Sequence, residues 1–144
     1  MYSETDFLAI LNGGEEGVRT FMTQGRVNEK DYNGLGILHW AAYKGFTDIV
    51  RQLINEHGMD KNLKAYGSVT PLHLAAAEGL LEVVELLAIE LKADVNAVSV
   101  ISGDTPLHRA ARNGHKETVR VLASNKANVL PRRAMGVYQS ILRR

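Results

Sequence analysis

The chain contains 144 residues with a net charge of +1; 45% of them are hydrophobic, 23% are charged and none is cysteine. The missing cysteines exclude disulfides, thiol catalysis and thiolate zinc sites, and the small net charge argues against nucleic acid or an anionic membrane as the partner. Because no apolar run approaches the roughly 18 residues of a membrane span and no secretory signal is visible, we expect an intracellular protein, cytoplasmic or nuclear, that binds no membrane.

The N-terminal stretch predicts a degenerate pair of short helices. Its apolar residues recur at intervals of three and four, as they do on helices that are buried through one face. These residues are Phe7, Leu8, Ile10, Leu11, Val18, Phe21 and Met22. Val27 and Asn28 close this first unit of the chain.

A five-residue motif then occurs three times along the chain. It reads Leu-His-Trp-Ala-Ala at residues 38–42, Leu-His-Leu-Ala-Ala at 72–76 and Leu-His-Arg-Ala-Ala at 107–111. A glycine follows each histidine by six positions, at Gly45, Gly79 and Gly114. The spacings of 34 and 35 residues indicate a repeat protein, in which each unit buries its apolar face against the next.

Each repeat carries the signals of two helices joined by a turn. Thr70 and Thr105 are good N-caps, and the proline after each occupies the first helical position, where its missing N–H costs nothing. The repeated glycine is expected to end the first helix in a left-handed conformation. The second helices show apolar residues three or four apart. They are Ile49, Val50, Leu53 and Ile54, then Val83, Val84, Leu87 and Ala88, then Val119, Leu122 and Ala123.

These units resemble the ankyrin repeat, which has about 33 residues and the signature Thr-Pro-Leu-His-x-Ala. Residues 70–75 and 105–110 match the signature fully, whereas residues 36–41 lack its Thr-Pro pair. Single extra residues precede Gly58 and Lys92 and fall within 98–102, in loops or helix ends. The resemblance implies an all-α ankyrin-repeat solenoid of stacked helix-turn-helix units with hairpin-like loops.

On this basis residues 1–144 form a single ankyrin-repeat domain. Residues 1–30 are an N-terminal capping repeat, because a stack needs a polar-faced end. Residues 31–64, 65–98 and 99–131 are full repeats, and residues 132–144 are a partial C-terminal cap. Its apolar stretch at 138–142 is either a minimal cap or the start of a longer stack, and the sequence leaves both open.

The three repeat histidines, His39, His73 and His108, are the residues most easily taken for metal ligands. Because each lies in a different repeat, they would stand about 10 Å apart in a stack of helices, whereas imidazole binds a metal at about 2 Å. The resemblance implies that they bond backbone groups of the turns. No nucleophile, base and orienting group occur together, and the glycine-rich stretch at 13–17 lacks the Lys-Ser/Thr of a phosphate loop. We therefore expect no metal, no cofactor and no enzyme activity.

Partner-binding positions follow from the resemblance, because ankyrin stacks present loop tips and first helices along a continuous concave surface. The positions that match the family's variable sites are Tyr32, Asn33, Leu35, Tyr43 and Lys44, then Tyr66, Val69, Ala77 and Glu78, then Ile101, Asp104, Arg112 and Asn113. Trp40 and Arg109 occupy a site between helices on the same side. Aromatic residues and arginine supply much of the binding energy of interfaces; the alternative for Trp40 and Tyr43 is packing between repeats.

The resemblance thus implies a protein–protein interaction module that holds an unidentified partner protein on its concave face and is itself monomeric. One alternative is a regulatory or structural segment of a larger multidomain protein or enzyme complex. Another is an adaptor that binds nucleic acid through a basic tail, formed by Arg132, Arg133, Arg143 and Arg144. We do not expect this last function, since four arginines without interleaved aromatic residues are a poor nucleic-acid pattern.

Overall fold

A computed structural model describes residues 12–125 and residue 127, which form seven helices. The helices are α1 (Gly14–Thr23), α2 (Ile37–Lys44), α3 (Thr47–Asn55), α4 (Pro71–Glu78), α5 (Leu81–Glu85, continued by the π-helical turn Leu86–Glu90), α6 (Pro106–Arg112) and α7 (Lys116–Ser124). Extended pairing within these residues is limited to one isolated bridge, between Lys30 and Gly36. The predicted all-α repeat fold is confirmed. The predictions for residues 7–11 and 132–144 lie outside the described residues.

The first helices of the second and third repeats begin where the threonine caps predict. Thr70 Oγ1 accepts a hydrogen bond from the His73 amide at 3.3 Å, and Thr105 Oγ1 accepts the same bond from His108 at 3.3 Å. These bonds satisfy amide groups that a helix start leaves without partners. In the first repeat Gly36 stands at the cap position and supplies no side-chain bond.

The helices pack in two rows. α2, α4 and α6 lie side by side in one row, and α3, α5 and α7 form a second row behind them. The alanine pairs at 41–42, 75–76 and 110–111 are buried, so neighbouring first helices approach closely. Larger buried side chains fill the space between the rows; they include Leu38, Ile49, Leu53, Leu72, Val84, Leu87, Leu107, Val119 and Leu122. Burial of each large side chain is worth roughly 1.5–3 kcal/mol, and Val18 and Phe21 extend this core into α1.

A closed turn precedes each first helix. Backbone hydrogen bonds close hairpin 1 (residues 31–35) from Asp31 to Leu35 at 2.9 Å and hairpin 2 (65–69) from Ala65 to Val69 at 2.8 Å. Hairpin 3 (99–104) is closed from Ser99 to Asp104 at 2.8 Å and is therefore one residue longer. This confirms the extra residue that the sequence places within 98–102.

The extra residue of the second repeat lies inside a helix end. The Leu91 amide donates to the Leu86 carbonyl at 2.8 Å, an i→i+5 bond that widens α5 into a π turn. Lys92 then takes a left-handed φ of 56°, close to the 66° of Gly58 at the corresponding end of the first repeat. Lysine thus occupies the conformation that glycine provides in the neighbouring repeat.

Candidate functional site

The repeat histidine His73 is an internal brace between two repeats. Its ring is fully buried, and its Nδ1 accepts a hydrogen bond from the Thr70 amide at 3.1 Å. The proton therefore resides on Nε2, which donates to the carbonyl of Asp104 in hairpin 3 at 3.0 Å. The start of α4 is in this way tied to the hairpin of the following repeat.

His39 makes the same connection one repeat earlier. Its Nδ1 accepts from the Gly36 amide at 3.2 Å, while Nε2 lies 2.9 Å from the Leu63 carbonyl and 3.2 Å from the Val69 carbonyl. Burial lowers the pKa of all three repeat histidines from the usual 6.5, so these rings are neutral near pH 7. The inferred backbone-bonding role is confirmed for His39 and His73.

Among the described residues, His108 is braced on one side. Its Nδ1 accepts from the Thr105 amide at 3.0 Å, but its buried Nε2 has no hydrogen-bond partner among the residues that the structure describes. The described part of the chain also contains no cluster of His, Asp or Glu that could hold a metal ion. No helix within the described ranges is long and apolar enough to cross a membrane.

The predicted partner-binding residues lie on one side of the stack, which we call the inner face and define as the surface of hairpins 1–3, α2, α4 and α6. Equivalent positions of successive repeats form rows across this face. The rows are Tyr32, Tyr66 and Ile101; Leu35, Val69 and Asp104; Trp40, Leu74 and Arg109; Tyr43, Ala77 and Arg112; and Lys44, Glu78 and Asn113. The structure thus places these residues in successive rows on one side of the stack, and their exposure differs from row to row.

The tips of the three hairpins form an apolar ridge. Tyr32, Tyr66 and Ile101, at the tips, are 69%, 71% and 82% exposed. The Tyr66 ring packs directly on Gly34: a Cβ atom there would lie 2.7 Å from Tyr66 Cδ1. Ile101 covers Gly67 in the same way, at 2.8 Å. Glycine is favoured at both positions because the backbone φ is positive, 75° at Gly34 and 78° at Gly67, and because each tip side chain rests on the backbone of the preceding hairpin.

Backbone hydrogen bonds hold the hairpins in this arrangement. The Tyr66 amide donates to the Asn33 carbonyl at 3.2 Å, and the Val100 amide donates to the Gly67 carbonyl at 2.9 Å. Backbone hydrogen bonds between neighbouring hairpins therefore hold the tips in position, independently of the exposed side chains at the tips. Val100, at the extra position of hairpin 3, is also largely exposed and widens the ridge.

Trp40 is fixed by a buried carboxylate. Its Nε1–H donates to Asp31 Oδ2 at 3.0 Å, and Asp31 Oδ1 accepts from the amides of Asn33 and Leu35 at 2.9 Å each. The indole meets the Tyr43 ring edge to face, with 5.8 Å between the ring centroids. Trp40 is half-buried and packs against the core, so it has the structural role that the sequence left open.

An apolar depression lies beside this tryptophan. It has a volume of about 150 Å³ and is lined by Leu35, His39, Trp40, Tyr43 and Leu74. These residues belong to hairpin 1, α2 and α4, so the depression sits between the first two full repeats on the inner face. Its size and apolar lining suit one hydrophobic side chain from a partner.

Asp104 differs from the expectation for a contact residue, because it is only 4% exposed. Its carboxylate accepts hydrogen bonds from Ser102 Oγ at 2.6 Å, Arg112 Nη2 at 2.8 Å and Arg109 Nε at 3.2 Å. Burial raises the pKa of Asp104, but the bond from Ser102 and the two guanidinium groups outweigh it and lower the pKa below 3.8. Asp104 is a buried anion that positions two arginines. Of these, Arg112 presents its positive charge at the surface, with 60% of its side chain exposed.

The remaining predicted residues lie at the C-terminal ends of the first helices. Lys44 and Glu78 are exposed there. Asn113 is exposed as well, but its Nδ2 donates to the Ala77 carbonyl at 3.1 Å, a carbonyl that also accepts from His115 at 3.0 Å. Asn113 therefore stabilises the contact between α4 and the end of α6.

Sequence reasoning missed three residues of this face. Asp31 precedes Asn33 and Gly34, a pattern typical of turns in which an aspartate side chain bonds the next amides. That pattern could have indicated its role. Leu74 could have been found by its equivalence to Trp40, and Val100 by its place in the insertion of hairpin 3.

Comparison with known proteins supports the same architecture. A family model of three ankyrin repeats matches residues 7–99, and a model of a single ankyrin repeat matches residues 102–133. Ankyrin repeat domain-containing protein 49 of Homo sapiens is 40% identical over 80 residues, covering 56% of this chain and 32% of that protein. Ankyrin repeat and SOCS box protein 3 of Homo sapiens is 31% identical over 96 residues, covering 65% and 18%. Protein phosphatase 1 regulatory subunit 12A of Mus musculus is 41% identical over 71 residues, covering 48% and 7%.

Proposed function

The chain belongs to the ankyrin-repeat family, and from this premise we propose that it is a non-catalytic module whose inner face holds a partner protein. Ankyrin repeats generally mediate protein–protein interaction, and their stacked units create extended surfaces for this purpose. The matched regions span a third or less of the length of the relatives compared here.

The hairpin ridge is the observation that supports this function best. Single exposed apolar residues are common on soluble proteins, whereas contiguous apolar patches mark interaction sites. Here large apolar side chains occupy equivalent exposed tips of three successive hairpins. Tyrosine is well suited to such a role, because it offers a large contact area and loses few rotamers on binding. The main-chain bonds between hairpins keep these side chains in place before a partner arrives.

The test is a double substitution at the ridge, Tyr32→Ala with Tyr66→Ala. Partners are captured from cell extract on the immobilised protein, and their affinity is then measured with the purified candidate. Loss of two interface anchors should weaken binding by at least about 2 kcal/mol, or roughly thirtyfold. Ile89→Ala is the matched control, because Ile89 is an exposed apolar residue of α5, in the second row of helices. Equal affinity of wild type and double variant, with an unchanged circular dichroism spectrum, would remove the ridge from the interface.

A second candidate is regulation of an enzyme by a bound ankyrin segment. It is favoured by the 41% identity over 71 residues to a relative named as a regulatory subunit of protein phosphatase 1. In this case the partner on the inner face is a catalytic subunit. Incubation of the purified chain with protein phosphatase 1 should change phosphatase activity, and the ridge variant should lose the effect. Failure of the two proteins to bind would eliminate this candidate.

A further inference from the structure

The inner face carries more positive charge than the second row of helices. Residues 30–44, 64–78 and 98–113 contain five basic and three acidic residues, and two of these acids, Asp31 and Asp104, are buried. Residues 45–63, 79–97 and 114–125 contain eight acidic and five basic residues. On the inner face Lys44 and Arg112 are exposed, against Glu78 alone among its acids, and Lys30 and Lys64 are exposed directly beside hairpins 1 and 2. A partner of negative charge is favoured on this side.

Arg112 has the geometry to receive a carboxylate. Asp104 engages its Nη2 and the Nε of Arg109, so the two guanidinium groups are oriented before any ligand binds. Within the described part of the chain, no hydrogen bond engages Nε or Nη1 of Arg112. Nη2 has a second N–H besides the one that Asp104 engages, so one edge of the guanidinium, formed by Nη2 with Nε or with Nη1, remains for paired hydrogen bonds with a carboxylate.

The apolar depression and Arg112 lie at the two ends of one row of equivalent residues on the inner face. Tyr43 forms one wall of the depression on α2, Ala77 is the equivalent residue of α4, and Arg112 is the equivalent residue of α6. Because the Ala77 side chain is small, no large side chain from this row stands between the depression and Arg112. Packed helices lie about 8–10 Å apart, which places the depression, between α2 and α4, roughly 12–15 Å from α6. An extended chain covers this distance in about four residues.

We propose that the inner face binds an extended acidic peptide segment whose apolar side chain fills the depression beside Trp40 while a carboxylate about four residues away pairs with Arg112. This assignment rests on the proposed function and names the chemistry of its partner. The apolar side chain in the depression supplies most of the affinity. The ion pair with Arg112 determines how far from that side chain the acidic residue must lie in the peptide.

Trp40 provides the assay, because it is the single tryptophan of the chain and lines the depression. The probes are capped twelve-residue peptides of serine and glycine that contain one leucine and one glutamate, separated by one to eight positions in either order. Titration of Trp40 fluorescence should give the tightest binding at separations of three to five residues. Replacing the leucine by serine should weaken binding about tenfold, and replacing the glutamate by glutamine about fivefold.

Protein variants assign these losses to the two sites. Arg112→Gln should bind the glutamate and glutamine peptides equally, and Tyr43→Ala should lose most of the preference for leucine. Arg120→Gln, which removes an exposed arginine from α7, should retain both preferences. Affinity that is independent of spacing, or a preference for glutamate that survives in Arg112→Gln, would overturn the assignment.

The outcome is separable from that of the ridge experiment. Peptides that bind without regard to leucine or glutamate would refute the acidic-peptide assignment, even where a captured protein still depends on Tyr32 and Tyr66. Conversely, a captured protein whose affinity does not depend on Tyr32 and Tyr66 would remove the ridge from the interface, whatever the peptides do. At 1 M salt the affinity of the glutamate peptide should fall to that of the glutamine peptide, because exposed charge pairs are screened there.

Discussion

His73→Ala tests the brace that joins the repeats. The substitution removes two buried hydrogen bonds, the one that His73 Nδ1 accepts from the Thr70 amide and the one that Nε2 donates to the Asp104 carbonyl. The Asp104 carbonyl keeps a second donor, the Ser99 amide at 2.8 Å, whereas the Thr70 amide loses its acceptor. An unpaired buried donor costs about 1–3 kcal/mol, and a lost net hydrogen bond about 1 kcal/mol. With the cavity left by the ring, we expect the free energy of unfolding to fall by about 3 kcal/mol.

His108→Ala is the internal comparison for this value. His108 makes the equivalent bond to the Thr105 amide, but its Nε2 has no partner among the described residues. Its replacement should therefore cost less, about 1–2 kcal/mol. Urea denaturation followed by circular dichroism and Trp40 fluorescence measures both variants. Equal losses for the two histidines would refute the bond between repeats as the source of the difference. A melting temperature raised by zinc would show that the repeat histidines hold a metal.

Three further predictions concern pH, charge and backbone. Because burial lowers the pKa of the three repeat histidines, the unfolded chain binds more protons just below pH 6.5. The free energy of unfolding should then decrease as pH falls from about 6.5, by at most about 1.4 kcal/mol per unit and histidine; urea midpoints that are constant between pH 5 and 8 would contradict this. Asp104→Asn should lower the free energy of unfolding by about 1–2 kcal/mol at pH 7. Because the pKa of Asp104 is lowered in the folded protein, its ionised form contributes this stability in full above about pH 4. The difference from wild type should therefore shrink in acid. Gly34→Ala should destabilise more than Gly103→Ala, since both have φ above +70° but only Gly34 contacts Tyr66; calorimetric melting of both variants measures this, and equal losses would exclude the tip contact.

The fold was predictable because its signals are local. Threonine and proline at 70–71 and 105–106 mark helix starts within a few residues, and the alanine pairs mark close helix contacts. Each such signal acts over one helix turn and recurs at a fixed spacing. The path of α5 was less predictable: the extra residue before Lys92 is absorbed by a π turn, and a sequence gives no simple rule for whether a helix or a loop accepts an insertion.

The sequence predicts which positions of the repeats are equivalent, but it does not predict how these side chains are buried or hydrogen-bonded. Repeat equivalence places Tyr32, Tyr66 and Ile101 on one face, and the structure brings them together. The burial of Asp104 depends on arginines five and eight positions later, which fold back over it from α6. An aspartate in a turn normally suggests exposure, so the sequence alone could not distinguish a contact residue from the anion that positions two arginines.

We expect the choice of partner to depend on positions whose side chains differ between the repeats. Trp40, Leu74 and Arg109 occupy one equivalent site in three repeats, yet the helices around them are built alike. The same site therefore accepts an aromatic, an aliphatic and a cationic side chain, because the buried histidines and alanine pairs already determine the stack. Because this site tolerates such different side chains, we expect specificity to depend on the order of the side chains along the rows. That order runs from an apolar depression between the first two full repeats to a fixed guanidinium pair at the third, so the proposed peptide should carry its apolar and acidic groups in the matching order.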